Sequence, residues 1–295
     1  MRNLLAFDIG ASNGRAILGQ FDGERISMRE LHRFENHYVE LNGVCYWDLP
    51  YIYNQLKQGF LAFRRADIGA LDCFGIDTWG VDYGLLDKNG HLLSNPRAYR
   101  NAVEEDCAEA WKMMDFPSLF SHTGIGNESF NTAYQLYRRK REGDTALEAA
   151  ETMLFMPDLL GYFLTGEKKS EYTETTTSML YNPIKRDWDR DIMAAFGLPE
   201  KKDIPAHRYA GDDTRQAALR YCPRVRYKLC RFCSGRHPRY GFGGRGHTRQ
   251  RQLCLLLQRH MVGFRHGGRV SAAHRRGSGC GLLQRGECAG WLLPA

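Results

Sequence analysis

Residues 3–19 read NLLAFDIGASNGRAILG, which predicts two strands joined by a polar turn. Residues 4–7 are apolar, residues 8–14 are typical of a turn, and residues 15–19 are apolar again. Another apolar stretch at residues 26–31 extends the pattern to a third strand. Short connections between neighbouring strands favour antiparallel pairing. The chain is therefore expected to open with a three-stranded antiparallel meander.

The pattern after the meander alternates between helix and strand signals up to about residue 200. It predicts a helix at 51–64, a buried strand at 73–76, a hairpin at 83–91 turning at Asn89-Gly90, and helices at about 103–114, 130–142 and 145–164. Such an arrangement predicts an α/β domain.

Net charge divides the chain near residue 200. The 295 residues carry +7 overall, but from Ile204 onward 18 basic residues, 17 of them arginine, stand against 3 acidic ones. The two parts therefore carry −8 and +15, and six of the nine cysteines lie in the basic part. Poor helix and strand periodicity there predicts a disordered Arg/Gly/Cys-rich tail over residues 201–295.

The remaining composition indicates where the protein works. Three scattered cysteines precede the basic part, as expected of a reduced compartment in which disulfides do not persist. No apolar run reaches the roughly twenty residues that a membrane-spanning helix needs. We expect a soluble, cytoplasmic protein without disulfides.

The turn at residues 8–14 has the composition of a phosphate-binding loop. Gly10 and Gly14 allow a tight turn that directs N–H groups at an anion. Ser12, Asn13 and Arg15 supply hydrogen-bond donors, and Asp8 at the strand end is suited to hydrated Mg²⁺. A glycine-containing turn without ligand is the alternative, and the loop lacks the Gly-Lys-Ser/Thr of a Walker motif.

A second polar loop, GIDTWGVDY at residues 75–83, has the mixture that sugar sites use. The carboxylates of Asp77 and Asp82 accept hydrogen bonds from hydroxyl groups, and an aromatic face such as that of Trp79 packs on C–H groups. Gly80 permits close approach of a ligand. The alternative is a hairpin entry in which Trp79 belongs to the core and the acids cap turns.

Seven segments in order resemble the rhamnulokinases of the FGGY family of carbohydrate kinases and cover essentially all of residues 3–200. They are AFDIGASNGR (6–15), GVCYWDL (43–49), GIDTWGVDYGLLD (75–87), AYRN (98–101), FNTAYQL (130–136), LFMPDLLGYFLTG (154–166) and EYTETTTSMLYN (171–182). The resemblance implies two ribonuclease-H-like domains with sugar and MgATP between them, residues 1–200 being the N-terminal one. It also implies transfer of the γ-phosphoryl group of ATP to the 1-hydroxyl of L-rhamnulose.

By position, the resemblance assigns roles to both loops. The sugar would contact Gly80 with its neighbours Trp79 and Asp82, and Asp8 would support Mg²⁺. The ATP phosphates would be lined by Ala11, Ser12, Asn13, Gly14 and Arg15. The family's proton-accepting residue is the Asp of a His-Asp-Thr motif, which this chain lacks. The catalytic residue is therefore unassigned, and we expect the chain as written to be inactive.

A change of reading frame explains the tail. Read one nucleotide later, the codons for Met261-Val262 must encode Trp, and those beneath residues 238–240 permit His-Asp-Thr. Further family-like runs are permitted beneath residues 203–213, 247–267 and 283–286. We therefore expect the frame to change between about Glu200 and Ile204.

Other readings of the tail and of the substrate stay open. Cys230, Cys233 and His237 resemble part of a zinc site but lack a second ligand pair, and residues 241–247 resemble an RNA-binding Arg/Gly segment. A non-catalytic protein with a basic, nucleic-acid-binding tail is thus one alternative. A kinase for another sugar, such as L-fuculose or D-xylulose, is the other.

Overall fold

The computed structural model describes residues 1–198 and the backbone of two short strands beyond them, His207–Arg208 and Arg231–Phe232. The other residues of the expected tail, with the zinc-like and Arg/Gly-rich segments, lie outside the described residues. In the part described, no helix is long and apolar enough to cross a membrane.

The first half of the fold is mainly strand. Its elements are β1 (Arg2–Ile9), β2 (Asn13–Phe21), β3 (Ile26–Glu35), β4 (Tyr38–Leu41), β5 (Val44–Trp47), α1 (Leu49–Arg65), β6 (Cys73–Asp77) and β7 (Tyr83–Leu86). The three-strand meander, the first helix and the buried strand after it are therefore confirmed.

The second half is mainly helical. After a 3-10 turn at Tyr99–Asn101 its elements are α2 (Glu104–Trp111), α3 (Phe116–Thr123), α4 (Thr132–Arg141), α5 (Thr145–Ala149), β8 (Thr152–Phe155), α6 (Met156–Thr165), β9 (Ser170–Glu171), α7 (Tyr172–Thr176), β10 (Tyr181–Asn182), β11 (Asp187–Trp188) and α8 (Arg190–Ala195). The strands beyond residue 198 are β12 (His207–Arg208) and β13 (Arg231–Phe232).

A five-stranded sheet in the order β13-β6-β1-β2-β3 forms the base of the fold. β1 is antiparallel to β2 and parallel to β6, so the chain crosses over through α1 between β3 and β6. One face of α1 is apolar, and its Phe60 ring packs on Phe7 of β1 at 5.0 Å and Phe74 of β6 at 5.2 Å between centroids. Burial of this helix face against the sheet makes the principal core.

Two sequence predictions are wrong in detail, and both involve the strand β8. Residues 145–164 do not form one helix, because the apolar run Thr152–Phe155 pairs with β7 instead. The expected hairpin at 83–91 keeps its turn, where the Gly90 amide donates to the Asp87 carbonyl at 3.0 Å. Its first strand, however, takes β8 as partner, and the returning strand is reduced to one bridge between Leu86 and Leu92.

Candidate functional site

The two loops singled out from the sequence leave the same edge of the sheet. β1 and β6 run parallel, and Asp8 near the end of β1 lies beside Asp77 at the end of β6 in the strand register. Ligands of open α/β sheets bind outside the carboxyl ends of the strands. The two loops are therefore neighbours. We call the turn between β1 and β2 the phosphate loop (residues 10–14) and the segment after β6 the sugar loop (residues 78–82).

The backbone of the phosphate loop is fixed by hydrogen bonds from one buried residue, Asn36, which no sequence motif indicates. Asn36 is fully buried, and its Nδ2 donates to the Gly10 carbonyl at 2.8 Å while its amide donates to the Ser12 carbonyl at 2.9 Å. The Gly10 amide donates across the turn to the Asn13 carbonyl at 2.8 Å. Ser12 and Asn13 stay exposed at the tip and Ala11 is half-buried beside them. The tip residues are thus available to a ligand.

Gly14 has a packing role in addition to its predicted place in the loop. A Cβ at this position would lie 2.1 Å from the ring of Phe34, which is itself buried. No side chain fits there unless Phe34 moves, so glycine is required where β2 starts.

Asp8 and Asp77 provide two carboxylates at paired positions of β1 and β6, two adjacent strands. The backbones of neighbouring strands lie roughly 4.8 Å apart. Asp8 is paired with Arg15 at 2.5 Å, so the predicted phosphate ligand and the predicted metal ligand contact each other. Asp77 is open to solvent but close to protein on its other sides. Loss of hydration, and secondarily the charge of Asp8, raises its pKa to about 6. Mg²⁺ bound with nucleotide phosphates commonly uses one or two carboxylates, which this pair can supply.

Asp82 lies in the interior and is shared by four hydrogen-bond donors. Its Oδ2 accepts from the indole N–H of Trp47 at 2.6 Å, that of Trp79 at 2.9 Å and the amide of Tyr99 at 3.1 Å, and its Oδ1 accepts from Gln135 at 3.2 Å. Burial raises the pKa of Asp82 to about 6 even though these donors favour the charged form. With its acceptors occupied and its side chain fully buried, Asp82 positions the two indoles rather than presenting a surface to a sugar.

The backbone of the sugar loop is strained at Val81. Val81 has φ 66°, a conformation that β-branched residues rarely adopt, and the Asp82 amide donates to the Gly80 carbonyl at 2.9 Å to close a γ-turn. The Val81 carbonyl accepts from Thr132 Oγ1 at 2.7 Å and from Gln135 Nε2 at 3.3 Å. Strain of this kind, about 1–3 kcal/mol, persists where surrounding contacts fix it and is often found at ligand sites.

Trp79 packs against the principal core, as the alternative interpretation expected, and its contact with a sugar stays a prediction. Its ring lies 4.2 Å from Trp47 between centroids, and Trp79 is half-buried whereas Trp47 is fully buried. The interior side of the sugar loop is therefore supported by contacts with Trp47, Thr132 and Gln135. All three lie in segments already noted for their motif, 43–49 and 130–136, but nothing in their spacing shows that they meet at Asp82.

Residues 3–219 match the N-terminal domain of the FGGY family of carbohydrate kinases. The chain belongs to this family. The resemblance inferred from the seven motifs and the expected fold class are thus confirmed.

Two curated relatives and two solved structures show how far the likeness extends. The chain is 39% identical over 203 residues to a rhamnulokinase of Bacteroides thetaiotaomicron, covering 68% of this chain and 41% of the relative. It is 39% identical over 202 residues to that of Halalkalibacterium halodurans, covering 67% and 42%. The chain thus spans about two fifths of these relatives.

The fold is similar to that of a ligand-bound xylulose kinase from Lactobacillus acidophilus, with a TM-score of 0.70 at 12% identity over 79% of this chain and 48% of that one. A glycerol kinase from Plasmodium falciparum with ADP gives 0.64 at 12% identity, over 79% and 48%.

Replacing Asn36 with alanine is expected to loosen the phosphate loop. The Gly10 carbonyl loses its donor inside the protein, so we expect the free energy of unfolding to fall by about 1–3 kcal/mol. Chemical denaturation followed by circular dichroism measures the effect. Asn54→Ala, on the exposed side of α1, is the matched control and should leave the stability unchanged. Unchanged stability of the Asn36 variant would contradict the role given to this side chain.

Proposed function

We propose that residues 1–198 form the sugar-binding and phosphate-binding half of an ATP-dependent kinase that acts on the 1-hydroxyl of L-rhamnulose. One observation carries the proposal: the phosphate loop and the sugar loop leave the ends of adjacent parallel strands, β1 and β6. A phosphoryl donor on the first and a sugar on the second would be neighbours, as in-line transfer requires. The names of the relatives at 39% identity favour L-rhamnulose over L-fuculose and D-xylulose.

The residues of the two loops and of the adjoining strand ends have separate parts in this proposal. The exposed tip at Ser12 and Asn13 donates to phosphoryl oxygens, and Asp8 and Asp77 hold Mg²⁺. The magnesium ion neutralises developing charge on the phosphates when bound. Trp79 packs on the sugar, with Gly80 allowing close approach. Asp82 keeps the indole in place through its hydrogen bond.

The proton acceptor belongs to the part of the gene that we propose is read out of frame. A His-Asp-Thr motif is permitted one nucleotide later beneath Pro238 to Tyr240, which places its Asp beneath Arg239. The similarity to the two relatives extends over 203 and 202 residues, which supports a change of frame shortly after residue 200, whereas the match to the family runs on to residue 219. In this proposal the protein works in the cytoplasm, and nucleic acid is not a partner.

Sugar binding by the 295-residue chain tests the proposal without requiring catalysis. L-rhamnulose should change the emission of Trp79 and Trp47, because the sugar packs on the first and the two rings are in contact. Titrations with L-fuculose and D-xylulose at the same concentrations should give weaker responses. Tighter binding of either competitor would assign the chain to another sugar. No response to any ketose would contradict the proposed function.

A further inference from the structure

The sugar loop contains one residue in a backbone conformation that its side chain disfavours. Val81 has φ 66°, in the left-handed region, which is uncommon for residues other than glycine and least suited to a β-branched one. Within the loop, the turn is closed by the Asp82 amide, which donates to the Gly80 carbonyl at 2.9 Å. Contacts from outside the loop therefore have to stabilise the conformation of Val81 as well.

The Val81 carbonyl accepts hydrogen bonds from α4, the helix that begins at Thr132. The Thr132 hydroxyl donates to it at 2.7 Å, and Gln135 Nε2 donates at the longer distance of 3.3 Å. Gln135 Nε2 also donates to the Phe130 carbonyl at 2.8 Å and to Asp82 Oδ1 at 3.2 Å, so it is divided among three acceptors. Thr132 is therefore the principal hydrogen-bond donor to the Val81 carbonyl.

The start of α4 is well anchored in the protein. The Ala133 amide donates to the Ser178 carbonyl at 3.0 Å, and both Ala133 and Tyr134 are fully buried in a second hydrophobic cluster. Trp79, by contrast, packs against the principal core. The Thr132 hydroxyl thus links the sugar loop to a helix of the other cluster.

The conformation of Val81 determines how the rest of the sugar loop is placed. Trp79 and Gly80, which contact the ketose in the proposed function, precede Val81. Asp82, which accepts from the Trp79 indole at 2.9 Å, follows it. A Val81 with negative φ would change the chain direction between Gly80 and Asp82 and so displace the indole. The cost of a left-handed backbone and the net gain from one hydrogen bond are of similar size, so loss of the Thr132 hydroxyl shifts the loop toward the relaxed conformation.

We propose that Thr132 is a positioning residue of the sugar site, whose hydroxyl keeps Val81 in the left-handed conformation that places the sugar loop against the ketose. The inference rests on the proposed function and goes beyond it, because it assigns a residue that does not contact the sugar. Thr132 is fully buried and acts through the backbone of Val81. Ketose affinity should therefore depend on a hydroxyl group that the ketose does not touch.

L-rhamnulose binding to the full 295-residue chain, followed by tryptophan emission, tests the inference. Thr132→Val is close to the same shape and removes only the hydroxyl, so affinity should fall about tenfold. Thr132→Ser keeps the hydroxyl and should bind nearly as tightly as the wild type. The matched control is Thr123→Val, because the buried Thr123 hydroxyl also donates to a backbone carbonyl, that of Leu119 at 2.8 Å. This control should lower stability without changing affinity.

A double-mutant cycle with Val81→Gly separates positioning from a general structural role. Glycine adopts φ 66° without steric cost, so Thr132→Val should weaken L-rhamnulose binding much less in the Val81→Gly background. The cycle remains decisive if urea denaturation shows that Thr132→Val alone folds poorly, because Val81→Gly should then restore folding and binding. Wild-type affinity in Thr132→Val, or an equal loss of affinity or folding in both backgrounds, would overturn the inference alone. Failure of the wild type to bind any ketose would overturn the proposed function itself.

Discussion

Replacing Asp82 with alanine is expected to lower the free energy of unfolding by about 3 kcal/mol or more. The substitution leaves the indole N–H of Trp47, which is fully buried, without its acceptor, and it removes the acceptor of the Tyr99 amide as well. Since the same carboxylate orients Trp79, ketose binding should be lost together with stability. Urea denaturation followed by circular dichroism measures the first effect, and tryptophan emission measures the second.

Two further variants show whether the carboxylate itself is responsible. Asp82→Asn retains one acceptor oxygen and should be less destabilised than Asp82→Ala. Asp67→Asn, at an exposed position with φ 47° that asparagine also tolerates, should change stability little. If Asp82→Ala were as stable as Asp67→Asn, the shared-acceptor role of Asp82 would be wrong.

The pH dependence of stability follows from the same carboxylate. The pKa of Asp82 is about 6 in the folded state and 3.8 in the reference state, so the folded state binds more protons between these values. The contribution of this group to stability therefore falls as pH rises from about 4 to about 6. Asp77, with its pKa also raised to about 6, acts in the same direction. The slope should be smaller in Asp82→Ala.

Local features of the fold could be read from the sequence, and features that depend on distant partners could not. The meander β1–β3 follows from apolar runs separated by turn residues, all within a few positions of one another. The sequence predicts helix for Thr152–Phe155, because a short apolar run has no periodicity that distinguishes a buried strand from a buried helix. Its pairing with β7, about seventy residues earlier, decides the outcome.

The site divides in the same way. The phosphate loop and the sugar loop were recognisable because their turn residues and aromatics are contiguous. Asn36 was not recognisable, because a single asparagine after a strand carries no signal of the loop to which it hydrogen-bonds. Asp82 was predicted to contact the sugar, since an acid beside Trp79 and Gly80 fits that role. Its donors come from four separate segments, and only their convergence shows that the carboxylate is used inside the protein.

Restoring the reading frame between the codons for Glu200 and Ile204 is expected to raise the rate of L-rhamnulose phosphorylation by about 10²–10⁴-fold or more. A positioned carboxylate that takes the hydroxyl proton contributes an effect of this size, and the 295-residue sequence contains no His-Asp-Thr to supply it. Resequencing the gene across codons 195–210 comes first, because it shows whether the frame change lies in the DNA. A coupled assay of ADP release on both proteins then measures the difference.

The matched control is the restored protein with the Asp of its His-Asp-Thr changed to Asn, which separates the proton acceptor from the rest of the restored domain and should lower the rate about 10²–10⁴-fold. Both proteins keep the same phosphate loop and sugar loop, so ketose binding should differ far less than turnover. In the proposal, the described residues bind the substrates and position them, and the proton acceptor comes from the shifted reading frame beneath Arg239. Steady turnover by the 295-residue chain would show that one of its own carboxylates accepts the proton, and Asp77, at the strand end beside Asp8, would be the first to replace.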